Sequence, residues 1–156
     1  MSNKNLYIVI LFSLLSNLSF GLEANQTDNF QSNTTQNWTT GEVNPNQTTV
    51  MSTGGYGGTG DFYIRQISTG GFGAGSRLVI FNDTQWVGNY INTSIHFISM
   101  RVNNTGSSKL TIYLGFSNGL NTASTKSPVT VDAGSGWQAI SFSIDSTNIT
   151  ELSRFA

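Results

Sequence analysis

The sequence predicts an all-β protein, an antiparallel β-sandwich, and three observations carry that reading. Leu110, Ile112, Leu114 and Phe116 recur at a spacing of two with Thr111, Tyr113 and Gly115 between them, which is the period of a strand with one face in a core. Gly, Asn, Ser and Thr fill the polar positions while charged residues make up only 10% of the chain, a composition typical of extracellular β proteins with Gly and Asn turns. No stretch after residue 25 repeats apolar residues at helical spacing.

Residues 1–24 read as a secretory signal peptide. Lys4 precedes the apolar run Leu6 to Leu15, and Ser19, Gly21 and Ala24 supply small residues for cleavage. Ser13, Ser16 and Asn17 interrupt the run, which is already short of the ~20 apolar residues of a membrane span. The expected location is therefore secreted or at the cell surface, with no membrane span after cleavage. Losing this segment removes Lys4 and Glu23 and leaves the net charge at −1, which attracts no nucleic acid. Residues 25–156 then make one domain of ordinary size. The absence of cysteine excludes disulfides, thiolate metal sites and a cysteine nucleophile. Asn-x-Ser/Thr triplets such as Asn37-Trp38-Thr39 and Asn148-Ile149-Thr150 are what a chain this rich in Asn, Ser and Thr produces by composition alone.

Residues 25–46 are polar and are expected to cross the domain surface, anchored by Phe30 and Trp38. Thr48 to Ser52 reads as a strand, followed by a glycine-dense turn at Gly54 to Gly60. That run is no phosphate loop, because neither a Lys-Ser/Thr pair nor a helical pattern follows it. Asp61 to Ile67 alternates and, through a second glycine-rich turn at Gly70 to Ser76, is expected to form a hairpin with Arg77 to Phe81. Ile95 to Val102 reads as a strand with one wet face, and Asn103 to Ser108 as the turn into Leu110 to Phe116. Pro128 to Asp132 is an edge strand and Trp137 to Ile144 closes the pattern, so seven strands are expected in all.

The candidate site follows the apolar strand Leu78 to Phe81. Asn82, Asp83, Gln85, Trp86, Asn89 and Tyr90 gather carbonyl, carboxylate, amide and ring groups within nine residues. Rings give a flat apolar face to a pyranose while amides bond its hydroxyls, so Asn82, Gln85, Trp86, Asn89 and Tyr90 are expected to bind carbohydrate, with one face of Trp86 and of Tyr90 left open. The competing reading is that Trp38, Trp86 and Trp137 are each core plugs at a sandwich edge, Trp137 above all, because its strand begins at once. Enzymatic chemistry has little to use. His96 is the single histidine and stands at a strand start, no nucleophile-elbow motif is present, and the carboxylates are scattered over separate strand ends.

Taken together, Asn37-Trp38, Asn44-Pro45, the G-x-G-D motif at 58–61, G-x-G-S-R-L-V-I-F-N at 73–82, Q-W-x-G-N-Y at 85–90 and G-S-G-W-Q at 134–138 resemble a family of secreted bacterial domains. These domains are often found in exported proteins with a PEP-CTERM sorting tail. The resemblance covers roughly residues 28–150 and implies a jelly-roll sandwich similar to carbohydrate-binding and galactose-binding-like modules. It implies a partner that is a polysaccharide or cell-surface glycan. It also places Asp61 where related jelly rolls often hold a structural ion, making Asp61 and Asp83 candidate Ca²⁺ ligands beside the simpler reading that each caps a turn. Family members continue past the position of Leu152, so the sandwich is expected to lack its final strand, which would leave an open edge and a marginal fold.

Overall fold

The computed structural model describes residues 6–13, 22–41, 44–70, 78–90 and 92–152. The described residues form ten strands and no helix, in the order β1 (Leu6–Ser13), β2 (Thr49–Met51), β3 (Tyr63–Arg65), β4 (Leu78–Asn82), β5 (Phe97–Asn103), β6 (Leu110–Ser117), β7 (Thr122–Thr125), β8 (Val129–Val131), β9 (Trp137–Ser143) and β10 (Ile149–Leu152). The all-β architecture is the one expected, and the alternating pattern places its strands well. Three were not expected: β1, which lies in the segment read as the leader, and the short strands β7 and β10.

Six strands make the main sheet, in the order β10-β7-β6-β1-β4 with β8 also on β6. One edge of β6 is paired along its whole length by β1, and the other edge is shared by β8 at Leu110 to Ile112 and β7 at Gly115 to Ser117. Where one short strand hands over to the other, the Thr125 hydroxyl accepts from the Leu114 amide at 3.2 Å. Pro128 sits in that interruption, just before β8, where its missing N–H breaks no ladder bond.

The pairings depart from the expectation in two ways. The segment at β3 makes no hairpin with β4: it pairs antiparallel with β2, Val50 opposite Ile64. The Gly70 to Ser76 turn that would have joined them lies, beyond Gly70, outside the described residues. Nor is the sheet wholly antiparallel, because β1 runs parallel to both β4 and β6.

A separate ribbon, β5 paired antiparallel with β9, supplies the second layer. The 104–109 connection therefore crosses between layers instead of closing a hairpin. Ile98 on β5 and Ile140 and Phe142 on β9 join Leu110, Ile112, Leu114, Phe116 and Val131 of the main sheet in one core cluster. Ser99, Arg101, Ala139 and Ser141 face water from the ribbon's other side, which is the half-wet strand pair the alternation predicts. Trp137 is no core plug: it is half-buried, its ring edge-on to Tyr63 at 5.3 Å and its indole N–H donated to the Gly54 carbonyl at 3.0 Å. It ties the β2–β3 hairpin to the ribbon.

Candidate functional site

The site is built by the lead-in segment lying against the end of β4. Thr39 and Phe81 exchange both backbone hydrogen bonds, at 3.0 and 2.8 Å, which sets Asn37, Trp38 and Thr39 beside the loop that follows Asn82. Trp38 is buried and Phe30 packs on the core, as the sequence predicts for this segment. Its backbone is bent hard to do so: Phe30, Gln36 and Asn37 all have positive φ, at 58°, 49° and 64°. Asn tolerates that conformation and Phe and Gln do not, so the surroundings must hold them. One such hold is the Gln36 side-chain carbonyl accepting from the Phe30 amide at 2.7 Å.

Asn82 ends β4 with no exposed surface. Its Nδ2 donates to the Gln36 carbonyl at 2.8 Å, and its Oδ1 accepts from the amides of Thr84 and Gln85, both at 3.1 Å. The turn after the strand, expected of Asp83, is thus made by Asn82, which presents nothing to a ligand at the surface. Tyr90 is likewise inside, 3% exposed. Its ring stands edge-on to Phe116 at 5.2 Å, its hydroxyl donates to the Trp86 carbonyl at 2.7 Å, and burial raises its pKa well above the ordinary phenol range. The expectation of an open Tyr90 face therefore gives way to a packing role. Asn89 is exposed and caps its own turn, its Oδ1 accepting from the Asn92 amide at 3.1 Å.

Trp86 is half-buried and tilted 48° against Trp38, ring centres 6.2 Å apart. Both indole N–H groups donate to a single oxygen, Oδ2 of Asp28, at 2.7 Å from Trp38 and 2.6 Å from Trp86. Gln85 donates its Nε2 to the other oxygen of Asp28 at 2.7 Å and accepts from Asn37 Nδ2 at 3.1 Å. Asp28 was missed by sequence reasoning. Nothing in the local sequence around Asp28 marks it, because its three donors lie 10, 57 and 58 residues away. Leu22 packs beneath the same loop, so closely that a side chain at Gly88 would meet its Cβ at 2.7 Å.

Above this cluster opens a cleft of about 350 Å³ lined by Asn37, Trp38, Thr39 and Thr48 on one side and Asp83 and Thr84 on the other. Asp83 and Thr84 are exposed. Asp61 belongs elsewhere. Its Oδ2 accepts from the Gly57 amide at 2.6 Å and its Oδ1 from Gln31 Nε2 at 3.0 Å, so that the glycine-rich turn wraps its carboxylate. Gly55 is glycine because a Cβ there would fall 2.5 Å from Asp61 Oδ2. Asp61 and Asp83 share no hydrogen-bond partner, and no cluster of three or more His, Asp and Glu side chains forms among the described residues. His96 is exposed just before β5, where its carbonyl accepts from the Ile144 amide at 2.8 Å. Among the described residues no helix is long and apolar enough to cross a membrane. Compared with protein-family models, curated proteins and solved structures, the chain matches none.

Proposed function

We propose that the protein is a secreted, non-catalytic module of jelly-roll type that holds carbohydrate in the cleft between Thr39 and Asp83. The observation that carries this reading is the lining: hydroxyls of Thr39, Thr48 and Thr84, the Asn37 amide and the Asp83 carboxylate beside the edge of Trp38, a set of donors and acceptors suited to sugar hydroxyls. At about 350 Å³ the cleft is at the small end of ligand sites and open, which fits a short stretch of a polysaccharide at the surface. Its lining includes one carboxylate, whereas glycoside hydrolysis of the ordinary kind needs two facing the same bond. Ca²⁺ at Asp61 or Asp83 has weaker support, since the Asp61 carboxylate already closes its own turn.

A purely structural or adhesive module is the second reading. It is favoured by the polar ends of Trp38, Trp86 and Tyr90, all of which turn inward. A glycan array with the wild type and the Asp83→Ala, Thr84→Ala variant separates the two. Binding that disappears in the variant at unchanged melting temperature supports the sugar cleft. No binding to any glycan supports the structural module, and turnover of a chromogenic glycoside would return the protein to the hydrolases.

A further inference from the structure

Aromatic rings and an arginine gather at the surface where the β2–β3 hairpin meets the β5–β9 ribbon. On the ribbon's wet face Asn103 lies opposite Trp137 and Arg101 opposite Ala139, so Arg101 and Trp137 are diagonal neighbours across the pair. Long side chains at such positions share one surface. Trp137 carries Tyr63 edge-on at 5.3 Å, and the guanidinium carbon of Arg101 lies 4.1 Å from the ring centre of Tyr56. Tyr56 is set there by its backbone. It stands in the tight turn closed by the bridge between Gly55 and Gly58, and the Trp137 indole ties that loop to the ribbon through the Gly54 carbonyl. Tyr56, Tyr63 and Trp137 are all outside the core cluster, and Tyr56 is 58% exposed. Rings placed at a surface instead of in a core mark a contact site.

The chemistry of the contact is set by what Arg101 lacks. Stacking on Tyr56 covers one face of the guanidinium, and among the described residues its in-plane N–H donors meet no hydrogen-bond or ion-pair partner. No Asp or Glu stands on β3, β5 or β9. Asp61, in the same glycine loop as Tyr56, turns its two oxygens to the Gly57 amide and to Gln31. Asp145, past the far end of β9, is held by Ser143 and Thr147. Arg65 shares a face of β3 with Tyr63, is exposed, and makes no ion pair among the described residues. The next outward pair along the ribbon from Arg101 is Ser99 and Ser141, whose hydroxyl oxygens lie 2.9 Å apart. The surface is thus positive, ringed by aromatic groups and flanked by neutral hydroxyls.

We propose that this patch is a second ligand site, which takes the carboxylate-bearing sugars of an acidic polysaccharide. The guanidinium fork fits a carboxylate through two parallel hydrogen bonds. The rings beside it offer apolar faces to a pyranose, and the serine hydroxyls serve its hydroxyl groups. From Ser99 to Asn103 the ribbon runs about 14 Å at the usual strand rise, room for a short stretch of an extended polymer. A carboxylate-rich peptide would use the charge and leave the ring faces unused, and a neutral glycan would do the reverse. The patch has no residue in common with the cleft at Thr39 and Asp83 and stands whether or not that cleft holds sugar.

The test is depletion of the full chain from solution by beads carrying polygalacturonate, with beads carrying dextran, dextran sulfate or polyglutamate as comparisons. Chelator is present throughout, so that no divalent cation bridges protein and polymer. The expected result is capture by polygalacturonate that weakens as salt rises and is absent on dextran. Arg101→Gln should weaken it roughly tenfold or more, and Arg101→Lys nearly as much, because an ammonium keeps the charge and loses the fork. Tyr56→Ala should weaken it as well, and melting temperatures measured alongside should match the wild type, since both side chains are exposed. The Asp83→Ala, Thr84→Ala variant should be captured like the wild type. No capture by polygalacturonate, or capture that the Arg101 variants leave unchanged, would overturn the proposal. Equal capture by dextran sulfate or polyglutamate would overturn the assignment to carboxylated sugars, and loss of capture in the Asp83→Ala, Thr84→Ala variant would overturn the placement on the ribbon.

Discussion

Replacing Asp28 by alanine strips one carboxylate from three donors at once, and the size of the effect follows from how wet each donor then becomes. The Trp38 indole is the most buried of the three donors, with the residue only 9% exposed. Leaving such a group unpaired costs roughly 1–3 kcal/mol. Trp86 and Gln85 are half-buried. Water replaces part of what their donors lose, and each contributes about 0.5–1 kcal/mol. The total, about 2–5 kcal/mol, is a large share of the 5–15 kcal/mol typical of a domain. At ~3–4 °C per kcal/mol for this length, melting should fall by roughly 6–20 °C. Asp28→Asn should be milder, about 1–3 kcal/mol, because its amide offers an oxygen to the two indoles while turning an N–H₂ group toward Gln85, itself a donor. Urea titration followed by tryptophan emission measures both quantities, since two of the three tryptophans report on the cluster. A cycle with Trp86→Phe, which keeps a ring and loses the N–H, should show coupling of about 1 kcal/mol or more. If Asp28→Ala loses less than about 1 kcal/mol and leaves the emission unmoved, the carboxylate does not organise the cluster and the reasoning fails.

Asn82→Ala should cost about 2–4 kcal/mol in a urea titration, since it orphans the Gln36 carbonyl and the amides of Thr84 and Gln85 at a site with no exposure. Gly55→Ala should destabilise by roughly 1–3 kcal/mol by driving a methyl into the Asp61 carboxylate. Pairing it with Asp61→Ala should recover part of that loss, and purely additive melting shifts would speak against the contact. The Asp145 carboxyl is held down at about 2, first by the Ser143 hydroxyl and then by the Thr147 hydroxyl and the Asn148 amide. A lowered folded-state pKa contributes stability that is complete above about 4 and lost as pH falls through about 2. Asp145→Asn should therefore flatten the pH dependence of melting between about 4 and 2, and an unchanged slope would remove that turn from the account.

The sequence by itself determined the class of the fold and most of its strands, because a residue pattern of period two acts through the chain's own geometry and needs no partner to be read. Leu110 to Phe116 and Ile98 to Val102 show it directly. It also determined that Trp38 and Phe30 anchor the lead-in, since they are the large apolar side chains in a polar segment. Which strands meet was decided only by the tertiary structure. β5 chooses β9 over its neighbour in sequence, and β3 chooses β2 over β4, because pairing is set by which apolar faces close one core across distant chain segments. The run Leu6–Ser13 shows the limit of a local pattern. Continuous apolar residues serve a leader and a central strand equally well, and only the lane between β4 and β6 made a strand of it. Of the residues singled out as a candidate site, Asp83 alone lines the cleft, while Gln85 and Trp86 belong to the hydrogen-bonded cluster beside it. Asn82, Gln85, Trp86, Asn89 and Tyr90 were singled out because they gather amide and ring groups within nine residues, and such side chains serve a ligand or the protein itself according to where their polar ends point. Asp28, far off in the chain, points two of those ends inward, and no spacing in the sequence announces a carboxylate that meets its donors only after folding.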